Sequence, residues 1–283
     1  MNSPAIKKIA ILDTDFIIKT TQTRNTQGKP LSDEIFKLPY EFFCHNQIKQ
    51  ELLKQEDAST EWFLNKEAEH KIKCIDDDYL LRTIVEQYKI PLKDAISIYS
   101  DFLKTICDIF SSSLYSEKYL ELESLKRKET VSYGSFVEAI INGDSAIDSD
   151  NLGEIKDALI IYILGKCFND VFIFCSDDKR ARKNIIGILG EGPSSLRCIS
   201  YFGLFFVLKE KMILSKEEES DFLAGWKSYC RPSPGSANIT IKTKIINKQP
   251  EYKTIDIDIL FSALWNNEIT MGLDGFVFYK ETK

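Results

Sequence analysis

Ile6-Lys7-Lys8-Ile9-Ala10-Ile11-Leu12-Asp13-Thr14-Asp15 and, much later, Asp170-Val171-Phe172-Ile173-Phe174-Cys175-Ser176-Asp177-Asp178 are the stretches on which the fold turns. Each is a short apolar run that stops abruptly at acids. Runs of that length and composition read as buried strands. Leu196 to Ser200 reads as another, Lys71 to Ile75 as a fourth, and Tyr40 to Phe43 as strand or helix. Helical patterns fill the intervals. Ile48, Leu52 and Leu53 form a stripe from Asn46, and Thr60 to His70 and Lys179 to Leu189 are helical. A helix from Gly153 to about Cys167 carries Ile155, Ala158, Leu159, Tyr162 and Ile163 on one face. Strands alternating with helices predict an α/β fold around a parallel sheet, with sites at the carboxyl ends of the strands.

Between the early and late strands lies helical sequence: a helix from Pro91 through Phe110, then 113–128 and 131–142. Asp76-Asp77-Asp78 reads as an N-cap with first-turn acids before Tyr79 to Tyr88. The span 76–142 is therefore expected to be an all-helical insertion. Gly143 to Gly153 reads as an acidic loop; Asp148-Ser149-Asp150 within it is no calcium loop, because Leu159 stands where a bidentate Glu is required. Ser215 to Glu218 is a capping box opening a helix to Trp226, and Arg231 to Ser236 (Arg-Pro-Ser-Pro-Gly-Ser) reads as a linker. Beyond it, Ile239, Ile241 and Ile245 alternate as in a strand, Thr254 to Asn266 reads as helix, and Phe276 to Tyr279 as a last strand. The expected organisation is a domain over 1–230 and an α+β extension over 231–283.

The chain has 283 residues and 43 Asp+Glu against 37 Lys+Arg, a formal charge of −6. That balance argues against a protein that coats nucleic acid by charge alone. It leaves room for an enzyme that concentrates carboxylates at a metal site. Seven cysteines without a Cys-x-x-Cys pair, and only two histidines, do not make a zinc site and read as reduced, buried thiols of a cytoplasmic protein. No apolar run approaches the roughly 18 to 20 residues of a membrane span, and the first strand is too short for a signal-peptide core.

Two strands end in carboxylates, Asp13 with Asp15 and Asp177 with Asp178. Side by side, such groups repel and raise one another's pKa unless a cation lies between them. Glu154 and Asp157, three apart, project from one helical face, and Glu51 sits among apolar residues on its own helix. Together these acids would make a nest for one or two divalent ions. Oxygen-only ligands select Mg²⁺ or Mn²⁺, which can activate water and stabilise the leaving oxygen of a phosphodiester.

In the order of these motifs the sequence resembles the PIN-domain nucleases. A hydrophobic strand followed by Asp-x-Asp is matched by Ala10 to Ile18, and the Glu-Leu pair of the second helix by Glu51-Leu52-Leu53. The Gly-Glu helix opening is matched by Gly153-Glu154-Ile155-Lys156-Asp157-Ala158. The last catalytic strand is matched by Phe174-Cys175-Ser176-Asp177-Asp178 with Lys179, Arg180 and Arg182 behind it. The resemblance covers about 6–55 and 150–225. It implies a three-layer, parallel-sheet PIN-like core that cleaves RNA, less often DNA, with Mg²⁺ or Mn²⁺. Asp13, Glu51, Asp157 (or Glu154) and Asp178 (or Asp177) are then the catalytic, metal-holding residues. Asp15, Thr14 and Ser176 orient waters around them, and Lys179, Arg180, Arg182 and Lys183 hold the nucleic-acid backbone. Toxin-like members of the family pair with inhibitors, so a protein inhibitor or a second copy of the chain is an expected partner.

Two other readings stay open. Asp13-Thr14-Asp15 also resembles the nucleophile motif of HAD-type phosphohydrolases, with Asp13 as nucleophile, although apolar Phe16-Ile17-Ile18 stands where that motif has a Gly-Thr turn. Alternatively, the fold could serve as a binding or scaffold module without catalysis.

Overall fold

The computed structural model describes residues 6–111, 113–147, 149–190, 192–230, 238–243 and 251–280, without the side chains of 149, 150, 229 and 243. The expected linker at 231–236 and Asp148 lie outside the described residues.

Five strands, β1 (Lys8–Leu12), β2 (Glu41–His45), β3 (Ile72–Ile75), β4 (Val171–Cys175) and β5 (Ser195–Ile199), form one all-parallel sheet in the order β3-β2-β1-β4-β5. The register is direct: Leu12 lies opposite Cys175, which lies opposite Ile199. All five strands therefore end at nearly one level. The chain moves outward from β1 to β3, then returns to the other side of β1 to lay down β4. Ligand crevices of open α/β sheets form at such a reversal.

Helices cover both faces, making three layers. Ile9 and Ile11 pack on one face with α4 (Asp77–Tyr88), α5 (Leu92–Phe110), α8 (Tyr133–Ser145), α9 (Ser149–Cys167) and α10 (Lys179–Ile186). Ala10 and Leu12 pack on the other with α1 (Thr14–Gln22), α2 (Asn46–Leu53), α3 (Ala58–Ala68), α11 (Tyr201–Glu210) and α12 (Lys216–Cys230). Strands apolar on both sides are what a doubly covered parallel sheet requires. The ambiguous Tyr40 to Phe43 resolves as strand: Phe42 and Phe43 are both buried, on opposite faces.

The span 76–142 carries α4, α5, α6 (Leu114–Lys118), α7 (Leu120–Leu125) and α8, and Asp76 caps α4 by accepting the Tyr79 N–H at 2.8 Å. The capping box holds, Ser215 and Glu218 exchanging side-chain to backbone bonds of 2.7 and 3.2 Å. The acidic loop read between Gly143 and Gly153 is wrong. α8 runs to Ser145 and α9 begins at Ser149, so both glycines are helical. They are glycine because other side chains occupy the space of a Cβ: the Tyr119 ring at Gly143, and the Glu51 carboxylate at Gly153.

The carboxyl-terminal part is β6 (Asn238–Thr243), β7 (Glu251–Asp256), α13 (Ile257–Trp265), β8 (Ile269–Met271) and β9 (Val277–Tyr279). Thr254 to Asp256 is strand, not the start of the helix, which Asp256 caps instead. Ile257, Leu260 and Leu264 are buried in the same core as Leu12 and Phe205. Among the described residues, no helix is long and apolar enough to cross a membrane.

Candidate active site: a carboxylate cleft at the strand ends

Asp13 directly follows β1, and its N–H bonds the Cys175 carbonyl of β4 at 3.0 Å, so the two acidic strand ends are neighbours. Asp13 caps α1, accepting the Thr14 N–H at 2.8 Å. Asp15, in the first turn, accepts the Asp177 N–H at 3.1 Å and the Ser176 hydroxyl at 3.4 Å. Across the reversal, Asp13, Thr14, Asp15, Ile18, Glu51, Gly153, Glu154 and Asp178 line an open cleft of about 320 Å³. Four separated motifs thus meet in one place.

Glu51 reaches the cleft from α2. The Thr14 hydroxyl donates to its Oε2 at 2.5 Å and the Gln47 amide to its Oε1 at 3.2 Å. A Cβ on Gly153 would lie 2.8 Å from that Oε1 and 3.0 Å from Ile48 Cδ1. Gly153→Ala should therefore cost little stability, because alanine gains about 1 kcal/mol over glycine inside a helix and the Glu51 carboxylate can swing away. The displaced carboxylate should lower any activity of the cleft. A thermal midpoint paired with an activity assay checks this; full activity would show that Glu51 has no role there.

The sequence left two pairs unresolved, and the structure separates them. Glu154 lines the cleft, whereas Asp157 is 0% exposed beneath it, with Oδ1 accepting the His45 N–H at 3.3 Å. Asp178 lines the cleft and caps α10 by accepting the Ala181 N–H at 2.9 Å. Asp177 points elsewhere, paired with Lys19 and accepting the Tyr201 N–H at 3.1 Å. Lys179, Arg180 and Lys183 are exposed on α10. Arg182, expected to contact nucleic acid, is turned inward at 4% exposure. Its Nη1 donates to the Ser176 carbonyl at 2.8 Å and its Nε to the Asp274 carbonyl at 3.2 Å, so it braces the β4 end.

The cleft holds more negative charge than it can comfortably carry. Burial, then the charges of Asp15 and Asp157, push the Asp13 carboxyl well above its usual range, against the lowering bond from Ser176. Asp157 is raised by burial and by Glu51 and Glu154. Glu154 is pushed up to about 7 by burial and by Asp178 and Asp15, with Arg180 offsetting part. Asp15 is raised by burial and Asp177. A carboxyl whose folded pKa is raised keeps its proton longer in the folded state, so its contribution to stability is full at low pH and fades as pH rises through the folded pKa. For Glu154 the window runs from about 4.3, the unfolded value, to about 7. The metal-free protein should lose thermal stability as pH rises through that window, and Mn²⁺ should restore it at pH 8 with little effect at pH 5, where Glu154 still holds its proton. A melting series with Mn²⁺ or EDTA checks this, and a midpoint independent of metal at pH 8 would refute it.

Among the described residues, no three Asp, Glu, His or Cys side chains form a ready-made metal cage. The groups nevertheless suit a hard divalent cation. The donors are carboxylates only, Glu154 Oε2 and Asp157 Oδ2 are buried without a hydrogen-bond partner among the described residues, and burial and like charge outweigh the partial offset of Arg180 at Glu154. The acids face one cleft without converging on a point, and binding would draw Glu51 and Glu154 inward from α2 and α9. No match is found among family models, curated proteins or solved structures. The cleft must therefore be read from its own chemistry. A larger cavity of about 540 Å³ lies at the opposite end of the sheet, lined by Ile9, Phe43, Leu164 and Phe168. Its one acid, Asp170, accepts the Lys7 N–H at 2.9 Å, and it offers no set of reactive groups.

A buried network that the sequence reading did not foresee supports the cleft from behind. Lys156 is 0% exposed, with Nζ 3.0 Å from Asp77 Oδ1 and 2.8 Å from Asp144 Oδ2. The Tyr99 hydroxyl donates to Asp77 and the Tyr119 hydroxyl to Asp144, while His45 Nε2 lies 3.4 Å from Asp77. At about 100° per residue, Lys156 leaves α9 nearly opposite Glu154 and about a quarter turn from Asp157. The sequence carries no signal for this network, since its members come from elements far apart in the chain.

Proposed function

We propose that this chain is a Mg²⁺- or Mn²⁺-dependent nuclease of the PIN-like kind, acting first on RNA as an endonuclease. The observation that carries this reading is the cleft itself: the strand-end acids, Glu51 and Glu154 meet at the reversal of an all-parallel sheet, with Gly153 making room for Glu51. A helix cap explains Asp178, and a solvated face could explain Glu51 alone. Neither explains Asp13 and Asp157 buried beside a half-buried Glu154 of like charge.

Asp13, Glu51, Glu154 and Asp178 would hold the ion, with Asp157 setting the charge beneath it. When bound, the ion supplies Lewis acidity toward phosphoryl oxygens and a lowered pKa for water. Thr14 fixes one Glu51 oxygen, and Asp15 is positioned to accept a proton or orient a water. Lys179 and Arg180, on the residues after Asp178, would bind the backbone phosphate; contacts of that type position a strand without reading its sequence. Glu51 and Glu154 would have no task in a phosphohydrolase that uses Asp13 as nucleophile.

The test is incubation of the chain with structured and single-stranded RNA and DNA, with Mn²⁺ or EDTA. Metal-dependent fragments support the reading. A folded protein that cuts none of these substrates with Mn²⁺ overturns it and favours a binding module.

A further inference from the structure

Next in the chain to Asp178 of the cleft, the carboxyl-terminal part and α10 build a column of two adjoining rings with cations at either end. The Arg182 guanidinium lies 5.2 Å and Lys242 Nζ 5.8 Å from the Phe276 ring centre. The Phe276 and Tyr252 rings are 5.3 Å apart, tilted by 60°, and Lys179 Nζ lies 4.6 Å from the Tyr252 centre. The inner end is anchored. Arg182 is tied to two carbonyls, Lys242 pairs with Asp274 at 2.8 Å, and Phe276 is buried. The outer end is not: Tyr252 is 48% exposed, and Lys179 and Arg180 are exposed. Lys179 directly follows Asp178, so the residue whose ammonium lies over the exposed ring is next in the chain to one that lines the cleft.

An aromatic ring braced from the core and half exposed, with one cation over it and a second on the next residue of α10, suits one unpaired base and its phosphate. A base inside a duplex is already stacked on both faces and offers no free face to the ring. We propose that Tyr252 is a stacking platform for an unpaired base, with Lys179 and Arg180 on the adjoining phosphate, so that the cleft receives single-stranded nucleic acid. This rests on the nuclease reading and adds substrate class to it. Tyr252 sits on β7, opposite Lys242 of β6, which gives the carboxyl-terminal hairpin a task. The Lys179 ammonium lies over the ring on an exposed side chain. An incoming base can displace it toward the phosphate.

Equilibrium binding tests the proposal, using the full chain with Asp13→Asn so that the probe survives. The probes are an unpaired RNA of about ten nucleotides, within the usual range for such grooves, and the same RNA annealed to its complement. The expected result is tighter binding of the unpaired probe, weakened by roughly 5- to 150-fold in Tyr252→Ala, the range for losing one stacked base. Tyr252→Phe should bind within about twofold of its parent, because stacking needs the ring and not the hydroxyl. Lys179→Ala should flatten the salt dependence by about one phosphate contact. Unchanged binding by a folded Tyr252→Ala, or preference for the duplex, overturns the platform whether or not the parent chain cleaves. Tyr252-dependent binding by a chain that never cleaves upholds the platform and overturns only the nuclease reading.

Discussion

Asp13→Asn should lower metal-dependent cleavage by at least about a hundredfold, the scale of losing one group that acts in the transition state, while leaving the fold intact or more stable. Asn caps a helix as well as Asp, so the bond from the Thr14 N–H survives. The exchange also removes a buried carboxyl whose ionisation is disfavoured by burial and by Asp15 and Asp157. Activity and stability should therefore move in opposite directions, as they do where a site stores unfavourable charge for function. A residue with a purely structural role would lose both together. Fragment yield with Mn²⁺, measured beside the thermal midpoint, decides the matter. A fully active Asp13→Asn protein would remove Asp13 from the chemistry.

Lys156→Met should destabilise the protein by about 3–5 kcal/mol, the cost of leaving buried charges without their partner. For a chain of this size that corresponds to a midpoint lower by roughly 10 °C. Lys156 is the cation between Asp77 and Asp144, and it joins α9 to the helices of 76–142. Burial pushes the Asp77 carboxyl up, but Lys156, His45 and Tyr99 pull it far below the usual range. Because its folded pKa is depressed, Asp77 contributes stability above its unfolded value of about 3.9 and loses it only as pH falls through the folded pKa. In Lys156→Met that protection disappears, and acid unfolding should begin at higher pH. Adding Asp77→Asn and Asp144→Asn should recover much of the loss, since the orphaned charges go with them. A Lys156→Met midpoint within about 2 °C of the parent would show that the network carries little. The basis is burial: an ion pair in solvent would be worth at most about 1 kcal/mol.

Several features were legible because they are local. β1 and β4 announce themselves as apolar runs ending in acids, Asp76 and Ser215 as caps, and the all-helical span by its periodicity. The candidate acids were legible as strand ends and as a same-face pair. Gly143 was misread as the edge of a loop, and the helix read from Gly153 starts four residues earlier, because a helical glycine and a loop glycine look alike until the neighbouring side chain is seen. Arg182 was misread for a related reason: a basic run on a short helix shows charge, not direction. Lys156 was missed because nothing near it in the chain tells of Asp77, 79 positions away.

The sequence alone determined that this is an α/β chain whose acids gather at strand ends, because hydrophobic period and abrupt acidic stops are properties of neighbouring residues. Tertiary structure alone decided that β1 and β4 lie side by side, that Glu154 and Asp178 face the cleft while Asp157 lies beneath it and Asp177 turns to Lys19, and that Tyr252 stands beside Lys179. Each of those depends on which strand the returning chain pairs with and on how closely two helices approach. Both are settled by packing among residues far apart in the chain.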